Sequence, residues 1–185
     1  MQAAARYAEA RERALTLGDS EVVAEAEYGF GIVAVLAGDL EQAETLFAQS
    51  LTAYRELGLG RAAWVAYASG YVALQRGETN SAQALFAESL RHALGIFLVE
   101  VSAYTLIGLA VIDAQAGNIA HAAARLGSAN AICELFSCRE DFFEPRLRAM
   151  LDRAPAARGS RRLRRSDRAE QDAHERSHTT GNFSQ

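Results

Sequence analysis

The residue types capable of chemistry are few in this 185-residue chain, and none forms a complete set. Gly29-Phe30-Gly31-Ile32-Val33-Ala34 spells G-x-G-x-x-A, the form that lets a pyrophosphate approach bare backbone at the opening of a helix. That chemistry needs a strand before the glycines, whereas Glu21 to Tyr28 is helical in composition. Gly58-Leu59-Gly60-Arg61-Ala62-Ala63 repeats the form at an unlike place, so the match is read as chance and no cofactor is expected. His174 and His178 have the i, i+4 spacing of metal ligands, but their polar segment has nothing to preorganise them, and a solvated pair is expected. His92 and His121 stand far from each other in sequence. Cys133 and Cys138 lack the second pair that zinc requires, and five residues of helix turn two thiols away from a common point; they read as small buried apolar side chains. All 19 cationic residues are Arg. The absence of Lys removes a Walker-type phosphate loop, Schiff-base chemistry and a lysine general base. No Ser-His-Asp order, nucleophile elbow or carboxylate pair stands out, so the expectation is a protein that is not an enzyme.

Composition points to the elements that would position whatever binds. The chain is 50% hydrophobic and 8% aromatic, and its 38 Ala favour close-packed helices over strands. Charge divides unevenly. Residues 1–152 carry a net of −8 and residues 153–185 a net of +4, so an acidic body repels phosphate. Nucleic acid is expected only through the tail cluster Arg161, Arg162, Arg164 and Arg165, whose field is diluted by Asp167, Glu170, Asp172 and Glu175. Charge at Arg6 and the lack of an apolar leader suggest a cytoplasmic chain with reduced thiols. The stretch from Ile96 to Ile112 includes Glu100, Ser102, Tyr104 and Thr105 and falls short of the ~20 apolar residues of a membrane span; a buried helix is expected.

Self-similarity is the strongest signal. Segments beginning at Gly38, Gly77 and Gly117 superpose at spacings of 39 and 40. Each glycine is followed five residues later by Ala43, Ala82 or Ala122, nine later by Phe47, Phe86 or Leu126, and twelve later by Ser50, Ser89 or Ala129. Seven residues before it stands Gly31, Gly70 or Ala110. Glycine followed by Asp, Glu or Asn reads as a left-handed helix stop joined to a capped helix start, and Asp39 with Gln42 has capping-box spacing. The small residue at minus seven and the alanine at plus five are expected to face each other in an antiparallel helix pair, letting the backbones approach. The large residue at plus nine then fills the volume between one pair and the next.

This small–glycine–alanine–aromatic–small spacing is similar to that of the tetratricopeptide repeat, although those units usually run 34 residues. The longer period, with Leu-Gly closing the second helix, resembles the C-terminal helical arrays of large bacterial LuxR-type and related ATPase transcription regulators. Ala122-Ala123-Ala124-Arg125-Leu126-Gly127-Ser128-Ala129 resembles the Ala-Arg-Leu-Leu-Gly-Ala-Ala stretch that often ends those arrays. The resemblance covers residues 1–137, without the nucleotide-binding domain or a recognisable helix-turn-helix.

The reading that follows is an all-α, antiparallel helix-hairpin solenoid with helices over 2–17, 20–37, 40–57, 61–76, 80–94, 97–116, 119–137 and 141–153. Its repeat domain spans 1–153: a half unit at 1–18, units at 20–58, 61–95 and 97–137, and a cap at 141–153 with Pro145 in its first turn. An Arg-rich tail over 154–185, with almost nothing apolar to bury, is expected to be disordered. Ala3, Tyr7 and Leu17 superpose on Ala43, Phe47 and Leu57, so the first helix matches a second helix lacking its partner. That implies a fragment of a longer array, or an edge completed by a second copy. One stripe of the first helices carries Tyr28, then Trp64, Tyr67 and Tyr71, then Tyr104, with Gln75 and Gln115 near its end. In arrays of the resembling kind that stripe lines a concave face, so it is either a groove for a peptide or helix, or rings filling the space between longer helices. The functional expectation is a non-catalytic scaffold for a protein or peptide partner, as a fragment or partner of a bacterial signalling or transcription regulator. The alternative is a ligand-sensing array of such a regulator.

Overall fold

The computed structural model describes residues 2–58, 60–138 and 141–154, the first four by backbone alone. Eight helices and no strands occupy these residues: α1 (Gln2–Leu17), α2 (Ser20–Ala37), α3 (Leu40–Glu56), α4 (Ala62–Gln75), α5 (Thr79–Gly95), α6 (Val99–Gln115), α7 (Ile119–Phe136) and α8 (Glu144–Arg153). Of the expected tail only Ala154 is described, and it is buried with the repeat domain, which moves that boundary by one residue; the rest lies outside the described residues, as do His174, His178 and the Arg161–Arg165 cluster.

The repeat glycine makes the hairpin. Gly38, Gly77 and Gly117 stand at φ 81, 79 and 82, where a side chain would clash with the preceding backbone. Each turn closes in the same way: the glycine N–H and the next N–H donate to carbonyls of the departing helix, as from Gly77 to Leu74 and from Glu78 to Ala73. The polar residue after the glycine caps as expected only in the first hairpin, where Asp39 Oδ1 accepts from the Gln42 N–H at 3.0 Å. Glu78 and Asn118 make no such bond. At the α1–α2 turn Asp19, which follows Gly18, caps α2 by accepting from the Val22 N–H at 3.1 Å.

Helices α2 and α3, α4 and α5, and α6 and α7 pair as hairpins, and each hairpin leans on the next through α3 with α4 and α5 with α6. The result is an all-α antiparallel helix-hairpin solenoid. α1 packs on α2 from the other side, as a second helix would, and α8 lies on α6. α4 and α6, in the middle of the stack, are apolar around nearly their whole circumference. α3 and α5 bury only one stripe, Ala43, Phe47, Ser50, Leu51 and Tyr54 in one and Ala82, Phe86, Ser89 and Ala93 in the other.

What occupies the space at the small residues differs from the expectation. The atoms nearest to where a Gly31 side chain would begin all belong to the Phe47 ring, and those at Gly70 to the Phe86 ring. The room freed at minus seven therefore admits the aromatic at plus nine; the alanine at plus five is not its nearest neighbour. Phe86 is gripped from the far side as well, because Gly108 of the following hairpin also faces its ring. Tyr7 meets Gly29 in the same register, and the intervening position is Ala68, fully buried. A second small position, nine residues before each turn, is thus part of the repeat. The residue at plus twelve adds a bond to the apolar contact: Ser50 Oγ donates to the Ala24 carbonyl and Ser89 Oγ to the Ala63 carbonyl, each at 2.8 Å and fully buried.

Gly70 and Gly127 separate packing from propensity. A methyl at Gly70 would lie 2.7 Å from ring carbons of Phe86, whereas nothing stands within 4 Å at Gly127 in the middle of α7. Gly70→Ala is expected to destabilise by about 1–3 kcal/mol, overpacking outweighing the gain in helix propensity. Gly127→Ala is expected to stabilise by about 0.5–1 kcal/mol. Chemical denaturation of both variants checks the pair; a stabilised Gly70→Ala would mean the ring is not held as described.

Candidate functional site

The aromatic stripe comes together as its spacing implies, for Tyr28 on α2, Trp64, Tyr67 and Tyr71 on α4 and Tyr104 on α6 share one face of the stacked first helices. Trp64 and Tyr67 each place a ring centroid 6.1 Å from that of Tyr104. The face is nevertheless covered: Tyr67 is 0%, Tyr104 2% and Tyr71 5% exposed. Tyr28 and Trp64 are half-buried, and Gln75 and Gln115 are exposed at the helix ends.

The cover is the chain's own segment 141–154. Phe143 seats its ring 4.8 Å from Tyr71, 5.7 Å from Tyr67 and 6.4 Å from Phe47, with Phe142 stacked edge-on against it. The Asp141 Oδ1 accepts from the Phe143 N–H at 2.5 Å and so fixes the turn ahead of α8. Pro145 stands in the first turn of the helix as expected, although α8 begins at Glu144 and not at 141. Leu147 is fully buried one turn on from Phe143, and Ala154 closes against Ala110, Ala114 and Ala122. Gln75 Nε2 bridges Tyr71 Oη at 3.1 Å and Met150 Sδ at 3.3 Å. Phe143 and Asp141 were not singled out by the sequence; an aromatic pair just ahead of a proline-started helix is the signal that marks them.

This seam carries unsatisfied polarity. Tyr67 Oη and Asp141 Oδ2 are buried facing each other, and the contact between them falls short of a well-formed hydrogen bond. Burial, followed by the Asp141 charge, pushes the Tyr67 phenol well above its ordinary value, and burial raises the Asp141 carboxyl. Elsewhere charge is paired between hairpins. Arg61 clasps Glu25 at 2.9 and 2.5 Å while Tyr54 donates to the same carboxylate at 2.9 Å. Arg55 clasps Glu88 at 2.8 and 2.6 Å and holds that carboxyl below its usual range.

The two cysteines correct an expectation. α7 ends at Phe136 and Ser137 turns left-handed at φ 51, so the chain doubles back and the Cys138 N–H reaches the Cys133 carbonyl at 3.3 Å. A continued helix would have parted the thiols; this break makes them neighbours, both free and half-buried. Burial and the Cys138 thiol push Cys133 up to about 12, so it is not a thiolate nucleophile at neutral pH.

Other chemistry-bearing residues hold structural places. Gly29 and Gly31 lie in the middle of α2 against Tyr7 and Phe47, leaving no room for a pyrophosphate. His92 is 3.7 Å from Glu88, and His121 is exposed. Among the described residues no three His, Cys, Asp or Glu side chains gather as metal ligands, and no helix is long and apolar enough to cross a membrane. The chain matches no protein-family model and no curated protein.

The raised Asp141 carboxyl gives the seam a definite pH dependence. Its folded-state pKa lies above the unfolded value of about 3.9, so the cost of burying its charge is absent below that value. The cost sets in as pH rises through the window between the unfolded and the raised folded pKa. Asp141→Asn is expected to raise the denaturation midpoint at pH 7 and to change nothing at about pH 3. An equal difference at both pH values would contradict burial as the cause.

Proposed function

We propose that this protein is a non-catalytic helical-repeat scaffold that binds a protein or peptide partner on the face of its first helices. The observation that carries the reading is the seating of Phe143 and Leu147 among side chains of α3, α4 and α6, since a face that accepts one amphipathic segment in cis has the shape and chemistry to accept another. Pairing of Arg55 and Arg61 with carboxylates of neighbouring hairpins supports a framework role for the charged residues. The resemblance of residues 1–137 to the C-terminal arrays of LuxR-type regulators supports a place in bacterial signalling or transcription control, as a fragment or partner of a larger regulator.

The alternative, a ligand-sensing array, draws on a cleft of about 520 Å³ lined by Ala87, Leu90, Leu94 and Leu109 and edged by Arg91 and Arg125. That cleft is open to solvent, whereas small ligands are mostly enclosed on binding, so the protein partner is the favoured reading.

Trp64 is half-buried beside Tyr104 and Gln115 is exposed, so neither belongs to the fully buried layer of the face. Affinity capture with the wild-type chain and with a Trp64→Ala, Gln115→Ala chain of unchanged circular dichroism compares them directly. The reading expects the partner recovered by the wild type to fall at least tenfold. Equal recovery by both chains overturns it.

A further inference from the structure

The occupant of the first-helix face states what that face recognises. Its side chains enter in a simple register: Asp141 at the turn, Phe143 two residues on, Leu147 four after that, and Leu151 four further, with Met150 beside it. Phe143 and Leu147 are fully buried, and Leu151 and Met150 pack partly covered against the same cluster. The receiving surface belongs entirely to the array. Phe47 comes from α3, Tyr67, Tyr71 and Gln75 from α4, and Ala110 and Ala114 from α6.

The segment is docked in a manner that suits exchange. Arg146 stacks on Phe142 at 3.9 Å and Arg148 pairs with Glu144, so these two cations find partners inside the segment and keep them when it leaves. Arg148 reaches the array through Asn130, at 3.0 Å. α8 is ten residues long, shorter than a helix stable by itself, so its order depends on being seated. The fit is also incomplete, because the buried contact between Tyr67 Oη and Asp141 Oδ2 falls short of a well-formed hydrogen bond. A partner whose acid meets the Tyr67 hydroxyl squarely would satisfy both groups and gain over the internal segment.

We infer that the face formed by α4 and α6 is a receptor for a short amphipathic helix bearing an acid two residues ahead of an aromatic and aliphatic side chains four and eight residues after it, and that residues 141–154 are a displaceable internal copy of that ligand. The inference rests on the scaffold reading and gives its partner a chemical description. Tethering holds the internal copy at an effective concentration in the millimolar range, so a free ligand competes at a disadvantage until the copy is weakened.

The probe is a fluorescein-labelled peptide of residues 141–154, titrated by anisotropy against the full chain and against the full chain carrying Phe143→Ala. The Phe143→Ala chain is expected to bind it at least tenfold more tightly than the wild type, and the same peptide with its own Phe143→Ala to lose that binding. In the unaltered wild-type chain, hydrogen exchange is expected to be faster in α8 than in α4 and α6. The inference is overturned by a folded Phe143→Ala chain that ignores the peptide, by a Phe143→Ala chain that loses its helical circular dichroism, or by α8 amides that exchange only together with those of α4 and α6. Should any of these occur while the Trp64→Ala, Gln115→Ala chain still loses its captured partner, the scaffold reading stands and this one alone falls.

Discussion

An aromatic ring wedged between two helices that present no side chain at the point of contact sets the spacing of the array. Phe86 leaves α5, passes between α4 and α6, and is met by Gly70 on one side and Gly108 on the other. A ring needs the space of two missing side chains, and close packing punishes either a void or an added methyl there. Phe47 at Gly31 and Tyr7 at Gly29 repeat halves of the arrangement, so one kind of contact holds the first two hairpins shut and, at Phe86 and Tyr7, sets the distance to the helix that follows. The buried serines complete it, since Ser50 and Ser89 each donate to a first-helix carbonyl of their own hairpin. A hydroxyl fully out of water needs such a partner, so these bonds specify register as well as adding stability.

The wedge explains why the first-helix face is aromatic and why it is covered. Phe86, wedged between α4 and α6, reaches Tyr67, and Tyr67, Tyr71 and Tyr104 carry the ring cluster onward from there. Three adjacent rings in water would form an apolar patch of the kind that soluble surfaces rarely leave open. Phe143 supplies the missing layer, standing nearly perpendicular to Tyr67 at 87°, an edge-to-face arrangement favoured between rings. The cost of this closure is electrostatic. Asp141 must follow Phe143 into the seam to hold the turn, and its carboxylate loses water without a full set of donors in return.

Charge elsewhere follows the period of the array. Glu25 and Arg61 join α2 to the start of α4, and Arg55 and Glu88 join α3 to α5, so both clasps bridge one hairpin to the next. They lie at partly exposed edges where ion pairs contribute modestly, but bidentate geometry restricts the angle between units. Chain ends of the second helices carry a different character, with Leu17, Ile96 and Phe97 exposed near the loops between hairpins.

The helices, their boundaries to within about three residues, and the period of the hairpins were legible in the order of the residues. Those depend on local causes: a glycine able to take positive φ at 38, 77 and 117, alanine-rich helical segments between, and apolar side chains at helical spacing. That order also marked Tyr28, Trp64, Tyr67, Tyr71 and Tyr104 as one stripe, because residues three and four apart share a helix face. What lies against that stripe and against the small residues depends on how the helices cross in space. Gly31 meets Phe47 and not Ala43 because the crossing of two helices, which no local pattern encodes, chooses which side chain enters the gap. Cys133 and Cys138 meet because α7 stops at Phe136, two residues before Cys138, where a continued helix would have parted them. Phe143 covers Tyr67 and Tyr71 because the chain turns back after α7, a contact spanning some seventy residues that spacing alone cannot express.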